Sequence, residues 1–281
     1  MSILEALILG AVQGITEFLP VSSSGHLVLL QKVFGINEPV LLFDTAVHGG
    51  TLLAVIVVLR RDILGILRHL IRPLTLYLII ATIPAVIAAL LFKGKIEEAF
   101  ASGAFLGFAF LGTSVLLIAS ESLFRGMNRP GGFPARLESA QSGRFGDEMN
   151  FLDALAIGLF QAVAIIPGLS RSGATISGAL IRKLNRDFAA RFSFLLSIPV
   201  ILGAVVLQAK ELGGAEARGA AESIDFLPLA AGTLCAAIVA FFAIKIAMKI
   251  VRERSLFGFA AYTGALGLFV LTDRFITHYF F

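Results

Sequence analysis

The chain has 281 residues and a formal charge of +4, with 57% apolar and only 15% charged residues, against roughly 25% charged in an ordinary soluble domain. Its mean hydropathy of +0.90, and apolar stretches of about 20 residues that can each cross a hydrocarbon core as a helix, exclude a protein whose main solvent is water. The single cysteine, Cys235, excludes an internal disulfide and a cysteine-rich metal site, and the basic residues are dispersed in short loops, which fits membrane topology better than nucleic acid.

Met1 to Glu5 carry neither the basic region nor the small-residue cleavage site of a secretory signal, so the N-terminus is expected to be retained. Residues 2–34 hold two apolar pieces too short to span, broken by Pro20-Val21-Ser22-Ser23-Ser24-Gly25. That pattern predicts a re-entrant hairpin with its tip at mid-membrane depth, buried in protein or lining a polar cavity. Full spans are predicted at 41–59, 74–92 and 103–124, and residues 126–149, rich in Gly, Pro, Arg and Ser, read as a linker. Residues 151–184 then repeat the broken pattern around Pro167-Gly168-Leu169-Ser170-Arg171-Ser172-Gly173, and spans at 189–208, 227–248 and 256–276 complete the chain.

The two broken regions are related. A shift of 148 residues carries Gly10 to Gly158, Gln13 to Gln161, Ser22 to Ser170, Ser24 to Ser172 and Gly25 to Gly173. The expected fold is therefore an all-α integral membrane protein, a single membrane domain 1–281 made of repeat one (about 1–125), the linker (about 126–149) and repeat two (about 150–281). Each half is a re-entrant helical hairpin plus three transmembrane helices. Three is odd, so the second half enters from the opposite side and the repeat is inverted. Loop charge is an independent check. Arg60, Arg61, Arg68 and Arg72, then Arg125, Arg129, Arg136 and Arg144, then Arg182, Lys183, Arg186 and Arg191, then Lys245, Lys249, Arg252 and Arg254 all fall on one side. The other side has Lys93, Lys95, Glu97 and Glu98, and an acidic loop with Glu211, Glu216, Glu222 and Asp225. By the positive-inside rule both termini face outward and the first hairpin enters from the external face.

Ionisable groups at membrane depth are costly and so mark function. Glu17 and His26 bracket the first tip, and Arg171 occupies the second. Helices starting near Ser24 and Ser172 would aim free backbone N–H groups and positive dipole ends at one central cavity, an anion site. Ser22, Ser24, Ser170 and Ser172 also suit plain helix caps. Arg171 needs an anionic partner; its planar fork suits phosphate, with a structural ion pair to Glu17 as the alternative. Glu17 beside a phosphate needs either a bridging divalent cation or a role as general acid or base. Gln13, one turn earlier on the same face, supplies a neutral oxygen for a metal, a water or the substrate. His26 is open to three roles, nucleophile, proton carrier or orienting group. Asp44 and His48, four residues apart, are expected to line the cavity entrance.

Gln13 to His26 (QGITEFLPVSSSGH) and Pro167 to Ile176 (PGLSRSGATI) closely resemble the two signatures of the undecaprenyl-diphosphate phosphatase family, also called bacitracin-resistance proteins, and the likeness covers essentially the whole chain. The resemblance implies a hydrolase of the bacterial cytoplasmic (inner) membrane that converts undecaprenyl diphosphate to undecaprenyl phosphate and inorganic phosphate, renewing the carrier for peptidoglycan and supporting bacitracin resistance. It implies stimulation by Mg2+ or Ca2+, a serine nucleophile at Ser23, phosphate binding by Arg171, and the principal acid–base role, with tentative metal binding, at Glu17. The family's first signature is a Glu or Gln, three residues, then Glu; this chain carries Gln13, which removes that position as an obligatory acid or base. The expected site is thus Glu17, Ser23, His26 and Arg171, with Gln13, Ser22, Ser24, Ser170, Ser172, Gly173 and Thr175 around the phosphate. A topology with the first hairpin on the outer side implies a site open to that face. Partners expected are a polyprenyl diphosphate lipid and membrane lipids, without nucleic acid; a homodimer stands open. Two alternatives remain. Glu17 or His26 could activate water directly, and a lipid-phosphate flippase could use the same anion site.

Overall fold

The structure, a computed structural model, describes residues 1–36, 41–69, 71–102, 105–127, 143–144, 146–212 and 225–279. Most of the predicted linker, with Arg129 and Arg136, and the loop positions Glu216 and Glu222 lie outside these residues. The described chain is helical throughout, without a strand. Helix α1 (Ile3–Thr16) opens on a capping box, in which Ser2 Oγ accepts from the Glu5 amide and the Glu5 carboxylate accepts from the Ser2 amide. It is followed by α2 (Ser23–Val33), α3 (Leu41–Val58), α4 (Arg60–Arg68), α5 (Pro73–Leu91), α6 (Lys93–Ser102) and α7 (Leu106–Met127). Helix α8 (Phe151–Val163) opens on the equivalent box formed by Asn150 and Asp153. Then come α9 (Arg171–Ile181), α10 (Arg186–Leu212), α11 (Phe226–Glu253) and α12 (Phe257–Thr272), the last extended by a π turn, Asp273–Thr277.

Among the described residues six helices are long and apolar enough to cross a membrane: α3, α5, α7, α10, α11 and α12 with its π turn. All six coincide with the predicted spans to within about five residues at each end. Between the spans, α4 and α6 were read from the sequence only as charged loop. Arg60, Arg61, Asp62 and Arg68 sit among Ile63, Leu64, Ile66 and Leu67, so α4 is too charged to span yet apolar enough on one stripe to lie along an interface.

The 148-residue shift holds at the level of elements. It carries the start of α1 at Ile3 to that of α8 at Phe151, and the start of α2 at Ser23 to that of α9 at Arg171. It also carries cap onto cap, Ser2 to Asn150 and Ser22 to Ser170. Its partners α3 and α10 run antiparallel. Thr45 Oγ1, near the start of α3, donates to Gln208 Oε1 near the end of α10 at 2.7 Å, while Asp62, just past the end of α3, lies 3.9 Å from Arg191 near the start of α10.

The short helices are wedged in by small residues. Gly10 and Gly14 of α1 lie against Gly232, Ala236 and Ala240 of α11, so closely that a Cβ at Gly14 would stand 2.7 Å from the Ala236 carbonyl oxygen. Gly158 of α8 is equally close to Ala81 of α5, 2.8 Å from a built Cβ to its carbonyl oxygen. Close backbone approach of this kind is how helices gain contact in lipid, where hydrophobic burial drives little. Helix α1 runs beside α11 only to about the level of Ala240. Thirteen further residues of α11, roughly 20 Å at 1.5 Å per residue, continue past its end. The apolar core gathers around the first tip, where Phe18 meets Phe194 edge-on, with ring centroids 5.4 Å apart, and around Leu117, Phe124, Ile176 and Phe192.

Two buried carboxylates fasten the end of the molecule where the arginines cluster. Glu121, fully buried in α7, accepts both Nη2 contacts of Arg186 (2.7 and 2.6 Å), Arg125 Nε at 2.6 Å and the Leu256 amide at 3.2 Å. Asp153 accepts from Arg144 Nη2 (2.9 and 2.8 Å) and from Arg182 Nε at 2.7 Å. Four of the arginines read from the sequence as loop charge are therefore also structural.

Candidate active site

The break between α1 and α2 meets the break between α8 and α9. In the first, α1 ends at Thr16, and the chain turns through Glu17 to Val21 before Ser22, with φ 72°, caps α2 by accepting from the Gly25 amide at 3.3 Å. A non-glycine residue in the left-handed region is uncommon and costs energy, of the sort stored at functional turns. In the second break that conformation falls to Gly168, φ 86°, and Ser170 caps α9 from extended backbone through the Gly173 amide at 3.0 Å. Ser172 Oγ donates to the Leu19 carbonyl at 2.8 Å, tying one tip to the other.

Glu17 is the centre. It is 7% exposed, and each of its oxygens has a charged or hydroxyl partner. Arg171 Nη2 donates to Oε1 at 2.7 Å; Ser23 Oγ donates to Oε2 at 2.6 Å; Gln13 Nε2 donates to Oε2 at 2.9 Å. His48 Nδ1 donates to the Asp44 carbonyl at 2.7 Å, which turns Nε2 toward Glu17 Oε2, 3.7 Å away. The structure thus brings together Gln13, Glu17, Ser23 and Arg171 as read from the sequence. It adds His48 to the centre, where the sequence reading set it at the entrance. Asp44 accepts from Gln31 Nε2 at 2.9 Å and takes no direct part. The ion pair weighed as the alternative for Arg171 is present.

His26 goes elsewhere. Its Nδ1 donates to the Ser22 carbonyl at 2.6 Å, which leaves Nε2 to accept from the Tyr262 hydroxyl at 2.7 Å, and the two rings stack with centroids 5.7 Å apart. Neither nitrogen is directed at Ser23 or Glu17, so of the two acid–base candidates, Glu17 and His26, only Glu17 is in contact with Ser23. Ser22 and Ser24 hydroxyls lie 3.5 Å apart, and Ser170 and Ser172 3.3 Å apart. Thr175 Oγ1 turns back onto its own helix and to Ser193 Oγ at 2.6 Å, a supporting position behind Arg171, whose Nη1 reaches the Ser193 carbonyl at 3.5 Å.

Tyr262, Thr113 and Ser193 support the site without having been singled out. Thr113 Oγ1 accepts from the Ser170 amide at 3.1 Å. Each lies in a long apolar helix that carries other polar residues, such as Ser114 beside Thr113 and Thr263 beside Tyr262, and only an ordered fold tells which of them faces a tip. The shift offered one signal, since it carries Thr45 to Ser193.

Chemically, a hydroxyl held on a buried carboxylate beside a guanidinium, at the starts of two helices whose first-turn amides have no intrahelical partner, can bind an anion and pass a proton from Ser23 to Glu17. Among the described residues no three His, Cys, Asp or Glu side chains converge as a metal cage. Gln13 Oε1, however, is buried and without a hydrogen-bond partner. With Glu17 it makes a set of hard oxygen donors of the kind Mg2+ and Ca2+ accept when phosphate supplies the rest, so these residues fit such an ion.

A helical bundle in which six described helices are long and apolar enough to span, with a buried carboxylate, a guanidinium and a hydroxyl gathered between two helix breaks, is that of a multi-pass membrane protein. Residues 6–269 match the family described as bacitracin resistance protein BacA, and the chain belongs to that family. It is 44% identical to the undecaprenyl-diphosphatase of Carboxydothermus hydrogenoformans over 272 residues, covering 96% of this chain and 97% of the relative. Undecaprenyl-diphosphatase 4 of Bacillus thuringiensis subsp. konkukian is 41% identical over 275 residues, 98% of each chain. The undecaprenyl-diphosphatase of Rubrobacter xylanophilus is 40% identical, covering 96% of this chain and 97% of the relative.

Proposed function

We propose that the chain hydrolyses undecaprenyl diphosphate to undecaprenyl phosphate and inorganic phosphate, as the names of its relatives say of them. The observation that carries this reading is the placing of Ser23 and Arg171 on the two oxygens of one buried carboxylate, at 2.6 and 2.7 Å. In the mechanism, Ser23 Oγ attacks the terminal phosphorus as Glu17 Oε2 takes its proton. The bond from that phosphorus to the bridging oxygen breaks, and undecaprenyl phosphate leaves. Arg171, already aligned by Glu17 and the Ser193 carbonyl, and the first turns of α2 and α9 stabilise the equatorial oxygens. Glu17 gives the Ser23 proton to the departing undecaprenyl phosphate and then takes one from the water that attacks the phosphoserine; the bond from phosphorus to Ser23 Oγ breaks, Glu17 returns the proton to Ser23, and inorganic phosphate leaves. A divalent cation held by Glu17 and Gln13 Oε1 would supply charge neutralisation at the diphosphate. His26, stacked on Tyr262, orients the first tip by fixing the Ser22 carbonyl.

Further parts of the reading concern the setting. The antiparallel run of α3 and α10, together with the repeated caps, supports an inverted-topology repeat with two re-entrant hairpins. The clustering of Arg125, Arg144, Arg182 and Arg186 at one end supports that end as cytoplasmic, in a bacterial inner membrane, with Glu17 and Ser23 reached from the other side. Renewal of the lipid carrier there would serve peptidoglycan synthesis and bacitracin resistance, and self-association as a homodimer belongs to the same proposal. The test is phosphate release from undecaprenyl diphosphate by purified protein in detergent, with Mg2+, with Ca2+ and with chelator. Release stimulated by a cation is expected. A folded protein that releases none under any of these conditions would overturn the hydrolase and favour a lipid-phosphate carrier built on the same anion site.

A further inference from the structure

Each short hairpin leaves room beyond its tip, and the two spaces differ. Beyond the first, a cleft of about 440 Å³ lies between the end of α1 and the junction of α11 and α12, lined mainly by Ile15, Leu19, Ile250, Phe259 and Tyr262, with Arg254 and the hydroxyls of Thr16 and Ser255 also in its wall. Beyond the second, a cleft of about 360 Å³ lies between α8, α9 and α7. The repeat relates them, since Ile15 of the first shifts to Val163 of the second. The second has no cation in its wall, and its position equivalent to Arg254 is Leu106. Arg254 is exposed, and its side chain has no carboxylate partner among the described residues; its carbonyl accepts from Arg186 Nη1 at 3.2 Å, which holds it at the arginine-rich end. An apolar cleft open to hydrocarbon is filled by a hydrocarbon chain, not by water, and a guanidinium at its headgroup end selects phosphate.

We infer that this first cleft is a binding site for one anionic phospholipid of the leaflet at the arginine-rich end, its acyl chain along Ile15, Ile250 and Phe259 and its phosphate on Arg254. The chain would lie against the Tyr262 ring, whose hydroxyl holds His26 Nε2 at 2.7 Å, so occupancy also steadies the first hairpin tip. Only that last consequence rests on the hydrolase reading, and the test therefore reads binding without turnover.

Full-length protein, stripped of lipid in detergent, is titrated with phosphatidylglycerol or phosphatidylcholine and the retained lipid counted by native mass spectrometry. One phosphatidylglycerol is expected to be held in preference to phosphatidylcholine. Arg254→Gln should cut the preference about fivefold, the equivalent of about 1 kcal/mol for a basic residue at a membrane surface. Gly258→Leu should abolish retention of both lipids by filling the cleft; a Cβ at Gly258 meets nothing within 4 Å, so the variant should fold, as an unchanged thermal midpoint will verify. Retention of phosphatidylglycerol unchanged in both folded variants would overturn the site. Equal retention of both lipids, lost in Gly258→Leu but indifferent to Arg254→Gln, would overturn the anionic selection.

Discussion

Glu17 holds a base's partner and an anion binder at once, and this makes its substitutions informative. In Glu17→Gln the shape is kept, but the side chain can no longer take the Ser23 proton, and phosphate release should fall by about 10² to 10⁴, the span typical of a lost general base. Arg171→Lys keeps the charge but loses the planar fork, and a fall of about 10² to 10³ in kcat is expected. Ser23→Ala separates the two chemistries. A loss as deep as that of Glu17→Gln, with no additivity in the double variant, is expected if Ser23 attacks phosphorus; a modest loss would transfer the attack to water activated by Glu17. All are measured as steady-state phosphate release by detergent-purified protein. At this scale the sequence was legible for residues whose cost betrays them: a glutamate and an arginine set in short apolar segments, Glu17 and Arg171, must be accounted for wherever they lie. His48 was less so, because its part depends on the turn of α3 that points Nε2 at Glu17. Tyr262 was not legible at all, since a tyrosine in an apolar helix is equally at home facing lipid.

The short helices α1 and α8 work as elements because they carry glycine where another backbone must pass. Gly14→Val would bring a Cβ within 2.7 Å of the Ala236 carbonyl oxygen and 2.9 Å of the Ala240 amide. Backbone atoms cannot swing aside as side-chain ends do, so a loss of about 1–3 kcal/mol is expected, read as a lower thermal midpoint in detergent. Gly65→Ala in α4, whose Cβ would meet nothing within 4 Å, is the control and should leave the midpoint level or raise it, since alanine restricts the unfolded chain. A midpoint for Gly14→Val equal to that control would mean that α1 and α11 are not packed this closely. The 148-residue shift made these elements legible as a pair: it carries Gly10 to Gly158 together with the serine-bearing breaks, whereas Gly14 falls on Ala162. Helices α4 and α6 escaped notice for the opposite reason, since a search for long apolar runs passes over short helices whose charges and apolar residues alternate in position.

For the whole molecule, loop charge carried more than the topology asked of it. Arg125, Arg182 and Arg186 count as loop charge in the sequence, yet they also neutralise Glu121 and Asp153, and Glu121 joins α7 to the start of α10 and, through the Leu256 amide, to the start of α12. A buried carboxylate with two arginines is weak proof of net stability, because taking the ions out of water costs nearly what their attraction returns. Its removal by halves is another matter. Glu121→Ala leaves Arg186, 5% exposed, charged and unpaired, and should cost about 3–5 kcal/mol, seen as a steep fall in thermal midpoint. Replacing both partners together, as Glu121→Leu with Arg186→Met, restores apolar contact over the Phe124 ring that Arg186 now covers at 5.0 Å and should recover most of that loss. If the double variant is as unstable as Glu121→Ala, the cluster is needed for its hydrogen bonds to the α11–α12 turn and not merely to cancel a charge, and the arginine-rich end is then held shut by polar contacts that no apolar substitute reproduces.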